Sequence, residues 1–382
     1  MRKKTVIFFE LTDYSLLRFP KKISDEYAKN DPEVQFVFIY LYKYSKETVD
    51  FISFPKSAYF VNLKGNISGV DAVFLGFPDS IVFIFALRPP EFYLINTSKK
   101  LGIDSILLQH GVFIPFMRRN LNFFIKEARK MVFYFKSILS LSSKTKSSPL
   151  TCFSEVFSIY ILGNKNLGQS IFSNALNVLP GKVYVYSEYW KDYFMTNYGF
   201  SSNQFSCIGS PDLEAYGSII NQEKEDAVCY ICQTLVEDGR LSKKDFDEFL
   251  LAMYNSLEPE QALYLKLHPR SKHELYDQVT KRERTYLIKE KTPNCIKYIG
   301  HYSTLVSLAL NITGDVFLWE FKNHKIPEYF SNATAFIDNT EDGLRKFIQD
   351  KKKTPALREI LKYYFHHPGL KPFEEIYKLT EK

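Results

Sequence analysis

Two histidines stand directly after strand-like runs, each beside a residue that ends or turns a strand. The apolar run 263–267 closes on His268-Pro269-Arg270. Pro269 cannot continue a ladder, so His268 and Arg270 are left at the rim where open α/β sheets bind ligands. A histidine there donates a hydrogen bond to a phosphate oxygen, or steadies charge building on a departing nucleotide. An ordinary strand-end turn explains the same residues. The run 105–108 closes on Gln109-His110-Gly111, where Gly111 frees the backbone to turn. A neutral His110 projecting into a cleft would take the proton from an attacking acceptor hydroxyl. A structural histidine bonded beneath the following loop fits equally.

Two further segments carry polar groups to strand ends. Gly300-His301-Tyr302-Ser303-Thr304 precedes an apolar-patterned helix, so Ser303 or Thr304 would cap it and its first N–H groups would outline an anion site. Capping alone also accounts for the two hydroxyls. Gln233 opens a loop that reaches Glu237-Asp238-Gly239, and Asp238 is an alternative general base to His110. A solvated acidic turn is the plainer explanation of that triplet.

The rest of the composition narrows the chemistry. Lys and Arg number 50 against 43 Asp and Glu, a formal charge of +7 that is too modest to imply nucleic acid. Five cysteines form no regular framework, which points to a reducing compartment. Cys229 and Cys232 are spaced as a pair, but on a strand they face opposite ways, so no metal site is expected. The basic start is followed by too few apolar residues for a signal peptide. The longest apolar stretch, residues 81–87, is far short of the roughly 20 needed to cross a bilayer, so a cytoplasmic protein is expected.

The elements that must position these residues follow from periodicity. At 382 residues, 45% hydrophobic and 16% aromatic, the chain suits two cores. Strand-like runs at 6–9, 34–40, 58–63, 72–77, 92–96 and 105–109 are separated by polar or helix-like segments. The pattern resumes at 183–186 and closes near 205–211. The polar stretch 216–226 reads as a linker, and a second alternation of strands and helices follows it. The expected architecture is α/β: two Rossmann-like domains facing across a cleft. Residues 1–215 are expected to form the first domain, and residues 226–382 the second, with a helical tail. An insertion at about 118–146 has apolar residues at helical spacing, with Lys126, Arg129, Lys130 and Lys136 elsewhere on the wheel. A basic amphipathic helix of this kind suits an anionic membrane interface, and suits domain packing as well.

Taken together, His-Pro after a strand, Ser-Thr one unit later and the acidic-Gly triplet resemble bacterial sialyltransferases and polysialyltransferases. The Gln-His-Gly element and the stretch 185–211 look like capsule and teichoic-acid polymerases. Both resemblances imply the two-domain GT-B fold. The first implies a CMP-activated sialic acid, phosphate contacts from His268, Ser303 and Thr304, and Asp238 as base. The second implies His110 as base. With no Asp-x-Asp motif of the kind found in metal-dependent glycosyltransferases read in the chain, the expected transfer is metal-independent and inverting. Its donor contacts would come from His268, Pro269, Arg270, Gly300, Ser303, Thr304 and Gln233. No cofactor is expected beyond the nucleotide-sugar donor. The expected partners are that donor, a glycan or lipid-linked glycan acceptor in capsule or lipopolysaccharide synthesis, and an anionic membrane surface. The setting implied is the inner face of the cytoplasmic membrane, with a CDP-glycerol-type phosphotransferase or a non-catalytic scaffold as the alternatives.

Changing Lys126, Arg129, Lys130 and Lys136 together to Glu is expected to abolish co-sedimentation with anionic vesicles. Binding that survives the change would remove the membrane role.

Overall fold

The computed structural model describes residues 4–43, 49–112, 121–158, 179–289, 291–322, 324–350, 354–366 and 371–381, with the side chains of 121–124 and 126–131 outside the description. The chain divides into two compact units. The first comprises residues 1–110, 124–208 and 371–382, and the second residues 111–123 and 209–370.

The first unit is built on seven parallel strands: β1 (Thr5–Thr12), β2 (Gln35–Tyr42), β3 (Ala58–Asn62), β4 (Ser80–Ile84), β5 (Asp104–Leu108), β6 (Lys182–Val185) and β7 (Phe205–Cys207). Their order across the sheet is β3-β2-β1-β4-β5-β6-β7. Val6, Ile7, Phe8 and Phe9 are all fully buried, as expected of a central strand covered on both faces. Register then lines up aromatic rings. Phe8 pairs with Phe38 and Phe83, and Phe38 with Phe60. The three neighbouring ring pairs stack at 5.1 to 5.5 Å, a cross-strand row that fixes which residues come level at the strand ends.

The second unit holds six parallel strands: β8 (Glu225–Ile231), β9 (Ala262–Lys266), β10 (Thr285–Ile288), β11 (Cys295–Gly300), β12 (Val316–Trp319) and β13 (Phe336–Asp338). The order β10-β9-β8-β11-β12-β13 is the doubly wound order of nucleotide-binding sheets. Both units are therefore Rossmann-like, with strand order reversing between β1 and β4 in one and between β8 and β11 in the other.

Several expected elements differ. Residues 92–96 are not a strand but part of the helix Pro89–Lys100, whose first ten residues are all buried. Prolines in its first turn start the helix, and burial on every side removes the polar stripe that would have revealed it. The expected linker at 216–226 overlaps the helix Ala215–Ile220 and the start of β8. The chain changes unit earlier, between Ile208 and Gly209. The tail expected in the second domain is split, because the helix Pro372–Thr380 belongs to the first unit. There Phe373 and Ile376 join the main core, and Tyr377 meets Tyr27 edge-on at 5.0 Å. The amphipathic insertion is a helix, Leu121–Thr145. Lys136 on it is exposed, while Lys126, Arg129 and Lys130 lie outside the described side chains. Among the described residues no helix is long and apolar enough to cross a membrane.

Gly314 sits where a Cβ would fall 2.2 Å from the carbonyl oxygen of Thr354, whereas one at Gly76 would meet nothing within 4 Å. Gly314→Ala is expected to cost about 1–3 kcal/mol, because backbone yields poorly to overpacking. Gly76→Ala should be neutral or slightly stabilising. Denaturant unfolding of the two variants beside the parent checks both.

Candidate functional site

At the carboxyl edge of the second sheet, the loops after β8, β9 and β11 are tied together by side chains. Gln233, just past β8, accepts from the N–H of Tyr302 at 3.1 Å and donates through Nε2 to the Tyr302 carbonyl. This two-way amide clamp bridges the point where strand order reverses. Both ends of the Gln233 amide are thus engaged with backbone, although the sequence suggested that it meets the donor.

Tyr302 is followed by Ser303, which takes an extended conformation and heads the helix Thr304–Ile312. Among the described residues the Ser303 side chain makes no capping bond and its buried Oγ has no hydrogen-bond partner. A hydroxyl in that condition beside first-turn N–H groups suits an anionic ligand. Gly300 serves packing: a Cβ there would lie 2.8 Å from Cγ2 of Val306, so its absence lets the helix seat against β11. His301, fully buried, accepts at Nε2 from the Tyr230 hydroxyl at 2.9 Å and donates from Nδ1 to the Trp319 carbonyl at 3.0 Å. Burial pushes its pKa down to about 4, so it holds the turn as a neutral ring.

On the β9 side, Nδ1 of exposed His268 accepts from the N–H of Arg270 at 3.1 Å. That bond assigns the proton of the neutral ring to Nε2, the donor form that a phosphate oxygen needs. Exposed Pro269 makes the turn, as the sequence implied. Arg270 is committed elsewhere: its guanidinium bonds both Asp238 oxygens at 2.9 and 3.3 Å and the Thr234 hydroxyl at 3.1 Å. Thr234 in turn donates to Asp238 at 2.9 Å. Desolvation would raise the Asp238 carboxyl, but the bonds from Arg270 and Thr234 prevail and hold it below the ordinary value. Asp238 is therefore arranged as the anchor of the His-Pro-Arg loop, with little proton affinity for the work of a base. Asp245-Phe246-Asp247 has the letters of an Asp-x-Asp motif. Yet it lies near the start of the helix Lys243–Ser256, where Asp245 bonds Ser242 at 2.7 Å and Asp247 pairs with Lys243.

In the first unit, a second group of ionisable residues stands at the carboxyl ends of β1, β4 and β5. His110 accepts at Nε2 from Arg18 at 3.0 Å and meets Phe19 edge-on at 5.2 Å. Part of its surface is open. Even so, desolvation and the charges of Arg18 and Arg88 push its pKa down to about 3, keeping it neutral. Beside it, Glu10 at the end of β1 lies 3.5 Å from Arg88, which also pairs with the wholly buried Glu91. Burial, opposed by Arg88, lifts the Glu10 carboxyl to about 7. Sequence reasoning missed Glu10, Arg18, Arg88 and Glu91. The one available signal was a carboxylate interrupting an otherwise apolar strand.

No protein-family model and no curated protein matches the sequence. Solved structures match its fold. The UDP-GlcNAc 2-epimerase from Methanocaldococcus jannaschii is 12% identical with a TM-score of 0.55, over 100% of this chain and 99% of that one. A variant of the wall teichoic acid polymerase TagF is 12% identical with a TM-score of 0.53, over 99% and 88%. The glycotransferase of kitacinnamycin is 11% identical with a TM-score of 0.53, over 100% and 99%. At such identities the likeness is one of fold, the paired Rossmann sheets of the GT-B kind.

Between pH 4.5 and about 7 the folded chain retains a proton on Glu10 that the unfolded chain has released. This contribution to stability is full below that window and lost as pH rises through it. Glu10→Gln cannot titrate, so its unfolding midpoint should fall less steeply than the parent's across the window. Parallel curves for the two proteins would refute the raised pKa.

Proposed function

We propose that the chain is an inverting, metal-independent glycosyltransferase that moves a sugar from a nucleotide-activated donor held by its second unit. The observation that carries this reading is that the carboxyl edge of one sheet holds both His268, with its proton on Nε2, and a helix start headed by Ser303, whose buried hydroxyl has no partner among the described residues. Those groups suit the phosphates of a departing nucleotide, stabilising the charge that forms as the sugar leaves. Fold neighbours named for UDP-GlcNAc epimerisation, teichoic acid polymerisation and glycosyl transfer support a nucleotide-sugar ligand.

We assign the role of base to His110 on the Gln-His-Gly resemblance, with Asp238, whose two oxygens are both bonded by Arg270, as the alternative. His110 would take the acceptor hydroxyl's proton as oxygen attacks the anomeric carbon, while His268, Ser303 and Thr304 receive the nucleotide. The His-Pro and Ser-Thr elements resemble those of sialyltransferases and favour a CMP-linked sialic acid or similar sugar. A CDP-glycerol-type phosphotransferase is the second reading, favoured by the Gln-His-Gly element and the likeness to TagF. The acceptor in either case is a glycan or lipid-linked glycan of a capsule or lipopolysaccharide. We place the reaction in the cytoplasm, at the inner membrane face, with the basic helix Leu121–Thr145 against anionic lipid.

Thermal-shift measurements against CMP, CDP, UDP and GDP are expected to show preferential stabilisation by a cytidine nucleotide. Saturation at 100 times Kd corresponds to about 2.7 kcal/mol. His268→Ala should reduce that shift. Stabilisation by UDP alone would move the donor to a UDP-sugar, and no stabilisation by any of the four would leave a non-catalytic scaffold.

A further inference from the structure

A base must have a lone pair to offer, and the one on Nε2 of His110 is already in use. A guanidinium has no acceptor, so in the 3.0 Å contact Arg18 donates and Nε2 accepts. The proton of the neutral ring therefore sits on Nδ1, and the nitrogen that would receive a proton is covered by a cation. Two cations bear on the ring: Arg18 from the junction before the helix Phe19–Asn30, and Arg88 from the loop after β4. They are not equivalent. Arg88 is bound to Glu10 and Glu91, whereas exposed Arg18 makes no ion pair among the described residues. Its guanidinium also lies over the face of Phe19, 4.7 Å from the ring centroid. A solvent-facing guanidinium held by a neutral imidazole and an aromatic face exchanges those contacts readily for a carboxylate or phosphate, a far stronger partner.

We propose that Arg18 is the residue that reads an anionic group, carboxylate or phosphate, on the acceptor, and that its move onto that group uncovers Nε2 of His110. Arg18 is thus a positioning residue that makes the base competent only when an acidic acceptor is present. An acceptor without the charge leaves the lone pair capped, so selectivity is exerted on the proton-transfer step as well as on binding. The proposal rests on His110 being the base. It adds the acceptor's chemical class and the means by which that class is sensed.

The test is a pH titration of the histidine ring nitrogens by NMR, with His110 assigned through His110→Gln. It is run on the full chain with and without inorganic phosphate. Without phosphate, Nε2 should report an accepted hydrogen bond and His110 should titrate well below an ordinary histidine. Phosphate should raise its pKa by at least about 1, a tenfold change in protonated fraction at fixed pH. Arg18→Gln should raise the pKa without phosphate and abolish the response, while Arg18→Lys, which keeps the charge, should preserve a response. A parent His110 indifferent to phosphate overturns the proposal, and so does an equal response in parent and Arg18→Gln. Because the titration needs no donor nucleotide, its failure is separable from failure of the transferase reading, which the nucleotide shifts decide.

Discussion

Both sheets are wholly parallel and their central strands are buried on both faces, a constraint that limits where charges are placed. A strand such as β1, with Val6 through Phe9 sealed on either side, has no lateral position for a charge. The polar groups of the two sites gather toward the strand ends and in the loops beyond them. Since parallel strands all finish on one edge, residues far apart in sequence arrive together there. Glu10, Arg88 and His110 share one such edge, and Gln233, His268 and Ser303 share the other. The row of stacked phenylalanines makes that alignment exact in register, because a slip by one residue would turn every ring to the opposite face.

The two edges are finished differently. In the second unit the loops are locked by uncharged or fully paired groups: the Gln233 amide, the neutral His301 and the closed ring of Arg270, Asp238 and Thr234. Such an edge is ordered before a ligand arrives and loses little freedom in receiving one. In the first unit charges are packed close, and two carboxyls and an imidazole are moved from their ordinary pKa values by burial and by Arg88. Proton transfer benefits from the second kind of environment and phosphate recognition from the first.

Most of the short apolar runs made the fold legible, although the run 72–77 falls largely in the helix Gly69–Gly76 rather than in a strand, and the strand end before His268 was legible because a proline follows it. Gly300 drew attention for a sound reason, but what it makes room for is Val306. Gln233 and Asp238 were noticed as polar residues after a strand. Their partners, Tyr302 and Arg270, lie 69 and 32 positions away, and separation of that kind carries no local signal. The helix Pro89–Lys100 was misread because burial on all sides erased its periodicity. Arg18 was invisible for a related reason: its meaning comes from His110, 92 residues on.

The return of the helix Pro372–Thr380 to the first unit has a bearing on how the protein is made. Residues 209–370 of the second unit are contiguous and leave the ribosome as one piece. The first unit, synthesised earlier, still lacks Phe373, Ile376 and the Tyr377 contact with Tyr27. Its core stays open along one flank until all of the second unit has emerged. The unit that is translated first is the last to be completed, and a chain that stalls after residue 370 leaves the first unit with its core unsealed.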